Sequence, residues 1–180
     1  MAISAIHRQD ELYGDAAQTY GAAIDRLARA YEADSDRRRD LVQEIHVALW
    51  RSFEAFDGRC SMRTWVYRVA HNVAATHVIR DQRANRREWV SIEAVESRSA
   101  IEPAGEADLD HRRALARLTA MIQQLKPLDR QVIVPYLEGM DAASIGEISG
   151  ISARNAATKI HRIKAILARR FQEGARTDEQ

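Results

Sequence analysis

The 180-residue chain has a single cysteine, Cys60, three prolines and eight glycines. One thiol closes no internal disulfide and completes no structural zinc site, which suits a protein of a reducing compartment. Scarce glycine and proline, with almost no period-two alternation of Val, Ile and Thr, leave little material for strands and hairpins, so an all-α chain is expected. No run approaches the roughly 18 consecutive apolar residues of a membrane span. The first residues, MAISAIHRQDELYGD, lack the apolar core of a secretory signal. A cytoplasmic location is therefore expected. The six histidines are scattered without metal-ligand spacing, so neither a metal nor another cofactor is expected. A Gly-rich phosphate loop, a Ser/His/Asp arrangement and convincingly paired carboxylates are all missing, which makes an enzyme the least expected class.

What is present is charge arranged in blocks. The net charge is only +1, and the distribution is more telling. From Arg59 to Arg87 the charged residues are mostly arginine, and from Arg154 to Arg170 every one is Arg or Lys. Between them, Glu93 to Asp110 is mainly acidic. Basic surfaces joined by an acidic connector are the electrostatic footprint of a nucleic-acid partner.

Periodicity divides the chain further. Residues 1–15 are polar and expected to be mobile. Tyr20, Ile24, Leu27 and Tyr31 predict a helix over 16–31. Ala33-Asp34-Ser35 breaks the pattern and offers caps. Leu41, Ile45, Ala48 and Leu49 give the buried stripe of a second helix over 37–53, with Asp40, Gln43, Glu44, Val47 and Arg51 on its other side. Trp50 is read as core. The loop around Asp57-Gly58 precedes a third helix over 62–85, on which Val66, Val69, Ala70, Val73 and His77 share a face. From 89 to 112, Ser, Glu, Pro103 and Gly105 replace the periodicity, and a flexible linker is expected. Leu115, Leu118, Ile122 and Leu125 predict a helix over 113–125, and Lys126-Pro127-Leu128-Asp129 ends it and caps the next, over 130–138. Pro135 removes one backbone hydrogen bond inside that helix. The last pair, 142–149 and 153–171, is joined by Gly150-Ile151-Ser152, with Ser152 as N-cap. Ala156, Ile160, Ile163 and Leu167 mark one face of the final helix, and Asn155, Thr158, Arg162 and Arg169 the other, a helix–turn–helix pattern. Two small helical domains, 16–88 and 113–172, are thus expected, followed by a tail over 173–180.

Asp40-Leu41-Val42-Gln43-Glu44 with Leu49-Trp50 resembles the polymerase-binding helix of the extracytoplasmic-function RNA polymerase sigma factors, a branch of the sigma-70 family. Phe56-Asp57-Gly58, then Thr64-Trp65-Val66-Tyr67-Arg68-Val69-Ala70-His71-Asn72, resembles their promoter-melting segment. Tyr136-Leu137-Glu138-Gly139, Ile145-Gly146-Glu147-Ile148 and Gly150-Ile151-Ser152 resemble their second DNA-binding domain. The set covers about 16–87 and 113–171, and its order and separations are more specific than any one piece. The resemblance implies a first domain that grips the clamp helices of the largest polymerase subunit and opens the minus-ten element. It implies a second domain that reads the minus-thirty-five element and touches the flap. It also implies an anti-sigma factor as inhibitor. A sigma-like decoy that sequesters an anti-sigma factor is the alternative, although the usual receiver domain is missing and the basic helix is intact. A stand-alone repressor would leave the first domain without a purpose.

On that resemblance Asp40, Gln43, Glu44 and Val47 are assigned to polymerase binding. Asp57, Arg59, Ser61, Arg63, Arg68, His71, Asn72, Arg80 and Arg83 are candidates for minus-ten DNA. A base taken from the stack costs a few kcal/mol, which a shaped loop pocket must return. Trp65 and Tyr67 are candidates for base stacking, with core packing favoured for Trp65. Arg154, Asn155, Thr158, Lys159, His161 and Arg162 are candidates for minus-thirty-five DNA. Of these, Thr158, His161 and Arg162 match the family's base-reading positions, whereas Lys159, with Lys164 and Arg169, is assigned to phosphates. No acid occurs from Ala153 to Gln172, unlike an ordinary soluble helix. Cys60 is read as a small loop residue, with redox sensing as the alternative.

Overall fold

In the structure, a computed structural model, residues 2–85 and 107–177 are described. Every regular element among them is helical: α1 (Ala2–Tyr31), α2 (Ser35–Ser52), a 3-10 turn (Phe53–Ala55), α3 (Met62–Asn85), α4 (Ala107–Gln123), α5 (Pro127–Leu137), α6 (Ala142–Ser149) and α7 (Ala153–Thr177). None of these helices is long and apolar enough to cross a membrane.

The first domain is a bundle of α1, α2 and α3. Ile24, Leu27, Ala28 and Tyr31 of α1 meet Leu41, Ile45 and Leu49 of α2 and Val66, Tyr67, Ala70 and Ala74 of α3. Each large apolar side chain so buried contributes about 1.5–3 kcal/mol. The chain turns from α1 into α2 at Asp34, whose carboxylate accepts from the amides of Asp36 (3.0 Å) and Arg37 (2.9 Å), so the expected cap is present. Buried Glu32 ties the three helices at this end, pairing with Arg37 of α2 and with His77 of α3, both at 3.2 Å. Arg37 also reaches Asp81 at 2.6 Å.

The second domain packs α4, α5, α6 and α7 around Ile122, Leu125, Ile133, Ile145, Ile148, Ile160 and Ile163. Asp141 caps α6 by accepting from the Ser144 amide at 2.8 Å. Gly150 ends α6 with φ +71°, a left-handed value at which a Cβ is strained. Ser152 Oγ accepts from the Asn155 amide at 3.2 Å and starts α7. The helix–turn–helix therefore forms as its turn residues predict.

Several expectations are corrected. Residues 2–15 are not an irregular lead-in but the first half of α1. Gln9, Leu12, Tyr13 and Ala16 recur at helical spacing and find a partner in the end of α2. Gln9 Nε2 donates to the Trp50 carbonyl at 2.6 Å, and the Tyr13 hydroxyl meets His46 Nδ1 at 3.1 Å. Trp50 is 38% exposed rather than core, with its indole N–H donated to Asp10. Leu115 is exposed as well. Residues 107–112, assigned to the linker, belong to α4, while 89–106 lie outside the described residues. Asp129 does not cap α5; it is buried and paired with Lys159 at 2.7 Å. The last helix continues into the expected tail, to Thr177.

Candidate functional site

Three surfaces and one seam hold the candidate residues. The first surface is a cleft of about 800 Å³ between α2 and α3, lined by Asp40, Gln43, Glu44 and Val47 together with Arg51, Asn72, Thr76 and Arg80. All four assigned polymerase-binding residues are exposed, and Val47 keeps 49% of its surface although it is apolar. An exposed valine flanked by carboxylates suits a protein partner, whose contact residues combine apolar burial with polar register. Arg51 was placed on this face of α2 in the sequence without a role, and Thr76 was not singled out. The signal for Thr76 was the i, i+4 row Asn72, Thr76, Arg80 facing the exposed side of α2.

The second surface is the loop before α3. Asp57 and Arg59 pair with each other, Arg59 Nε to Asp57 Oδ2 at 2.8 Å, on the exposed tip around Gly58, whose φ is +77°. Ser61 acts as the cap of α3: its hydroxyl accepts from the Thr64 amide at 3.0 Å and meets the Thr64 hydroxyl at 2.9 Å. Trp65 is half-buried, its N–H donated to Ser52 and the Arg68 guanidinium 4.8 Å from its ring. Arg68 also approaches the Cys60 sulfur at 3.8 Å.

The candidates on α3 do not form one surface. Asn72, Arg80 and Arg83 are exposed. Arg63, Tyr67 and His71, at i, i+4, i+8, run along the opposite side. His71 is fully buried and contacts no solvent, so its assignment to DNA is withdrawn. Tyr67 is buried too and is not available for base stacking in this conformation. His71 Nδ1 meets the Tyr31 hydroxyl at 2.9 Å, while Nε2 has no hydrogen-bond partner. Burial pushes its pKa down to about 3, because nothing there solvates the imidazolium.

That depression has a measurable consequence. The unfolded chain takes up a proton at this residue near pH 6.5, whereas the folded chain does so only near pH 3. Stability is therefore complete above pH 6.5 and falls as the pH drops toward 3. The expected loss from this residue is about 2 kcal/mol between pH 7 and 5. Urea denaturation at both pH values, with His71→Gln as the comparison, measures it. An equal loss in both proteins would refute the assignment.

The third surface is the outer face of α7. Arg154, Asn155, Thr158, His161 and Arg162 are exposed on it. Lys159 is less free than expected, because its ammonium is engaged by Asp129. Lys164 likewise donates to the Tyr136 hydroxyl at 2.8 Å. The N-terminal turns of α7 thus present an arginine- and amide-bearing face, the composition that reads base edges in a major groove.

The seam joins the two domains. α5 and α6 pack on α3, while α4 and α5 pack on α1. Glu138, at the C-terminal end of α5, is its hub. Arg26 donates to both oxygens of the Glu138 carboxylate, at 2.6 and 2.7 Å, and Arg63 donates to its backbone carbonyl. The Glu138 carboxyl is held below the usual range, first by the Arg26 hydrogen bond, with the Tyr67 hydroxyl and the Arg63 charge adding to it. Burial, then the charge of Glu138, pushes Tyr67 up to about 12. Buried Arg130 donates to the Tyr31 carbonyl at 3.3 Å, and Gln123 donates to the Arg29 carbonyl at 2.6 Å. Neither Arg26 nor Arg130 was picked out in the sequence, and Glu138 entered only within the motif Tyr136-Leu137-Glu138-Gly139.

An open cleft on the first domain, exposed arginines on α3 and a helix–turn–helix with an acid-free outer face suit a DNA-binding transcription protein. The comparisons agree. Residues 16–84 match the family model Sigma-70 region 2, and residues 115–167 match Sigma-70, region 4. RNA polymerase sigma factor NccH of Alcaligenes xylosoxydans is 26% identical, over 89% of this chain and 87% of that one. RNA polymerase sigma factor CnrH of Cupriavidus metallidurans is 25% identical, over 93% and 91%. ECF RNA polymerase sigma factor SigG of Mycobacterium tuberculosis is 29% identical, over 85% of this chain and 40% of that one. The solved structure of CnrH in complex with the cytosolic domain of CnrY has a TM-score of 0.63 at 24% identity, covering 93% of this chain and 92% of that one, and so shares the fold. The chain belongs to the sigma-70 family, in its extracytoplasmic-function branch.

Proposed function

We propose that this protein is an alternative sigma factor of the cytoplasm that binds core RNA polymerase and directs it to its own promoters. Catalysis, in this reading, belongs to the polymerase. In this reading the α2 face of Asp40, Gln43, Glu44 and Val47 binds the clamp helices of the largest subunit. The loop Asp57 to Ser61, with Arg68, Asn72, Arg80 and Arg83, handles the melted minus-ten strand. The face of α7 reads the minus-thirty-five element. The observation that carries the reading is the presence, in one chain, of an exposed cleft on the first domain whose α2 side carries Asp40, Glu44 and Val47, with Arg51 and Arg80 beside them, and an exposed acid-free helical face on the second. The domains take their proposed bounds from the sequence, 16–88 and 113–172. Control by an anti-sigma factor is part of the proposal, supported by the solved structure of CnrH in complex with the cytosolic domain of CnrY.

The test is run-off transcription by bacterial core polymerase on fragmented genomic DNA, with and without the protein. Discrete new transcripts that share two upstream elements are expected. Arg162→Ala should lower their yield about tenfold or more while core binding is kept, since one bidentate Arg–guanine contact is worth about 1–3 kcal/mol. The double change Gln43→Ala and Glu44→Ala should weaken core binding and leave the fold intact, because both side chains are exposed. An equal loss of core binding in both variants would remove the division of labour. No transcripts, with no binding to core, would leave the decoy as the better reading.

A further inference from the structure

The first half of α1 lies ahead of the segment that matches the family model, which begins at residue 16. This half is polar, yet one of its polar side chains is buried: Gln9 keeps 9% of its surface. Its Nε2 donates to the Trp50 carbonyl at 2.6 Å. Trp50 stands in the last turn of α2, where helical carbonyls find no amide further along their own helix. Gln9 therefore serves as a C-terminal cap supplied by another helix. Its neighbours act on the same stretch. Asp10 accepts the Trp50 indole N–H at 2.8 Å, Tyr13 meets His46 at 3.1 Å, and Arg8 reaches the Phe56 carbonyl at 3.5 Å.

This stretch leads straight into the loop assigned above to the minus-ten strand. α2 ends at Ser52, the 3-10 turn spans Phe53–Ala55, and the loop leaves at Phe56. The loop's return is fixed from α3. Ser61 caps that helix, and Trp65 donates to Ser52 and meets the Phe56 ring edge-on at 5.2 Å. Its departure is fixed from α1, by Arg8, Gln9 and Asp10. A loop held at both ends has less freedom to lose when it takes up a ligand.

We propose that Gln9 and Asp10 are positioning residues for promoter opening: they fix the end of α2 and so pre-order the loop Phe56–Ser61 for the unpaired strand. The proposal rests on the sigma-factor reading above and adds to its minus-ten site two residues that act through the loop. Gln9 is too buried to be a contact for DNA or polymerase. A base drawn out of the duplex leaves its stack and its partner at a cost that the loop must return. A pre-ordered loop therefore matters most while the duplex is closed, and least where the strands are already apart.

The test uses the full chain with bacterial core polymerase on two templates. One is a promoter found by the run-off assay, and the other is the same promoter with its minus-ten segment mismatched. Opening is read by the permanganate reactivity of minus-ten thymines. Gln9→Glu keeps the side-chain size and replaces the donor by an acceptor. It should slow opening of the duplex about three- to tenfold, the worth of one hydrogen bond. Core binding and transcription from the mismatched template should be kept. Asp10→Ala should act in the same direction, and Asp10→Asn, which keeps an acceptor oxygen for the indole, should restore wild-type opening. In the free protein, Gln9→Glu should speed amide hydrogen exchange at Phe53–Phe56 and leave Leu41–Leu49 unchanged.

An equal loss on both templates would make Gln9 a support of the fold alone and overturn the proposal. A loss of core binding, with normal opening by the complexes that do form, would move this part of α1 to the polymerase interface and overturn it too. Wild-type opening by both Gln9→Glu and Asp10→Ala would refute it directly. Exchange needs neither DNA nor polymerase. Faster exchange in the variant, with no opening by the wild type, would overturn the sigma-factor reading and the proposal with it. Unchanged exchange, with normal opening by the wild type, would overturn the brace alone.

Discussion

Replacing Arg130 by methionine is expected to lower the stability of the chain by about 3 kcal/mol, measured by urea denaturation. Arg130 lies in the first turns of α5 and is buried. Its Nε donates to the Leu125 carbonyl at 2.8 Å, one Nη to the Tyr31 carbonyl at 3.3 Å and the other to the Gln123 carbonyl. Gln123 and Tyr31 are the last residues of α4 and α1, whose last carbonyls have no partner within their own helix, and Leu125 lies in the turn after α4. One guanidinium thus closes two helix C-termini, where a cation also meets the favourable end of the helix dipole. The guanidinium stands 5.5 Å from the Tyr31 ring centroid. Burial lowers the Arg130 pKa to about 10, which leaves it charged at neutral pH. Methionine keeps the apolar stem but orphans the carbonyls. Lysine keeps the charge yet lacks the planar fork, so an intermediate loss is expected. The wild type should unfold with coincident circular dichroism and tryptophan fluorescence. Of the three tryptophans, Trp50 and Trp65 sit in the first domain and Trp89 in the segment after it, and the second domain has none. In Arg130→Met the helical signal should therefore fall before the fluorescence changes. A variant as stable as the wild type would show that the three carbonyls are satisfied without the guanidinium.

The parts of this molecule that periodicity encodes were legible before the structure. The spans of α3 and α6 were read to the residue, and Leu41, Ile45 and Leu49 were placed correctly, because a local 3.6-residue repeat reports which side is buried whatever covers it. The polar face of α2 and the outer face of α7 followed by the same logic. His71 was misplaced because its neighbour in sequence, Asn72, is exposed and Arg68 is only half-buried. Its helical neighbours Tyr67 and Ala74 are buried, and that spacing was the signal to follow. The first half of α1 was missed for a related reason: its composition is polar, and the residues that hold it, Trp50 and His46, lie 41 and 33 positions further along the chain. The seam was not legible at all. Arg26 and Glu138 are 112 positions apart, and Arg130 and Tyr31 are 99 apart. No local repeat says which arginine of many will meet which carboxylate, since that is decided by how two finished domains fit.

Gly146→Ala is expected to abolish promoter-specific transcription by way of the backbone, although Gly146 touches no DNA in the reading above. Gly146 lies in α6 and is buried. A Cβ built on it would fall 2.7 Å from the Ile151 carbonyl oxygen and 3.3 Å from the Ala153 nitrogen, both main-chain atoms of the turn into α7. Nothing there is the flexible end of a side chain, so the turn itself must give way. The same glycine accepts the bonds that close the turn, from the amides of Gly150 (2.9 Å) and Ile151 (3.2 Å). Overpacking of this kind costs about 1–3 kcal/mol, and here the displaced segment carries Arg154, Asn155 and Thr158 at the start of α7. Base readout depends on side chains held within a few tenths of an ångström, so transcription should fall further than stability does. Gly150→Ala separates the two causes. Its φ of +71° makes a Cβ strained, yet nothing lies within 4 Å of where that Cβ would be. A loss of about 1–2 kcal/mol from left-handed strain is expected, with the recognition helix left in place and transcription largely kept. If both glycine variants lose transcription in proportion to their stability, the effect of Gly146 is unfolding alone. If Gly146→Ala is silent in both assays, α6 and α7 do not approach as closely as the turn geometry requires.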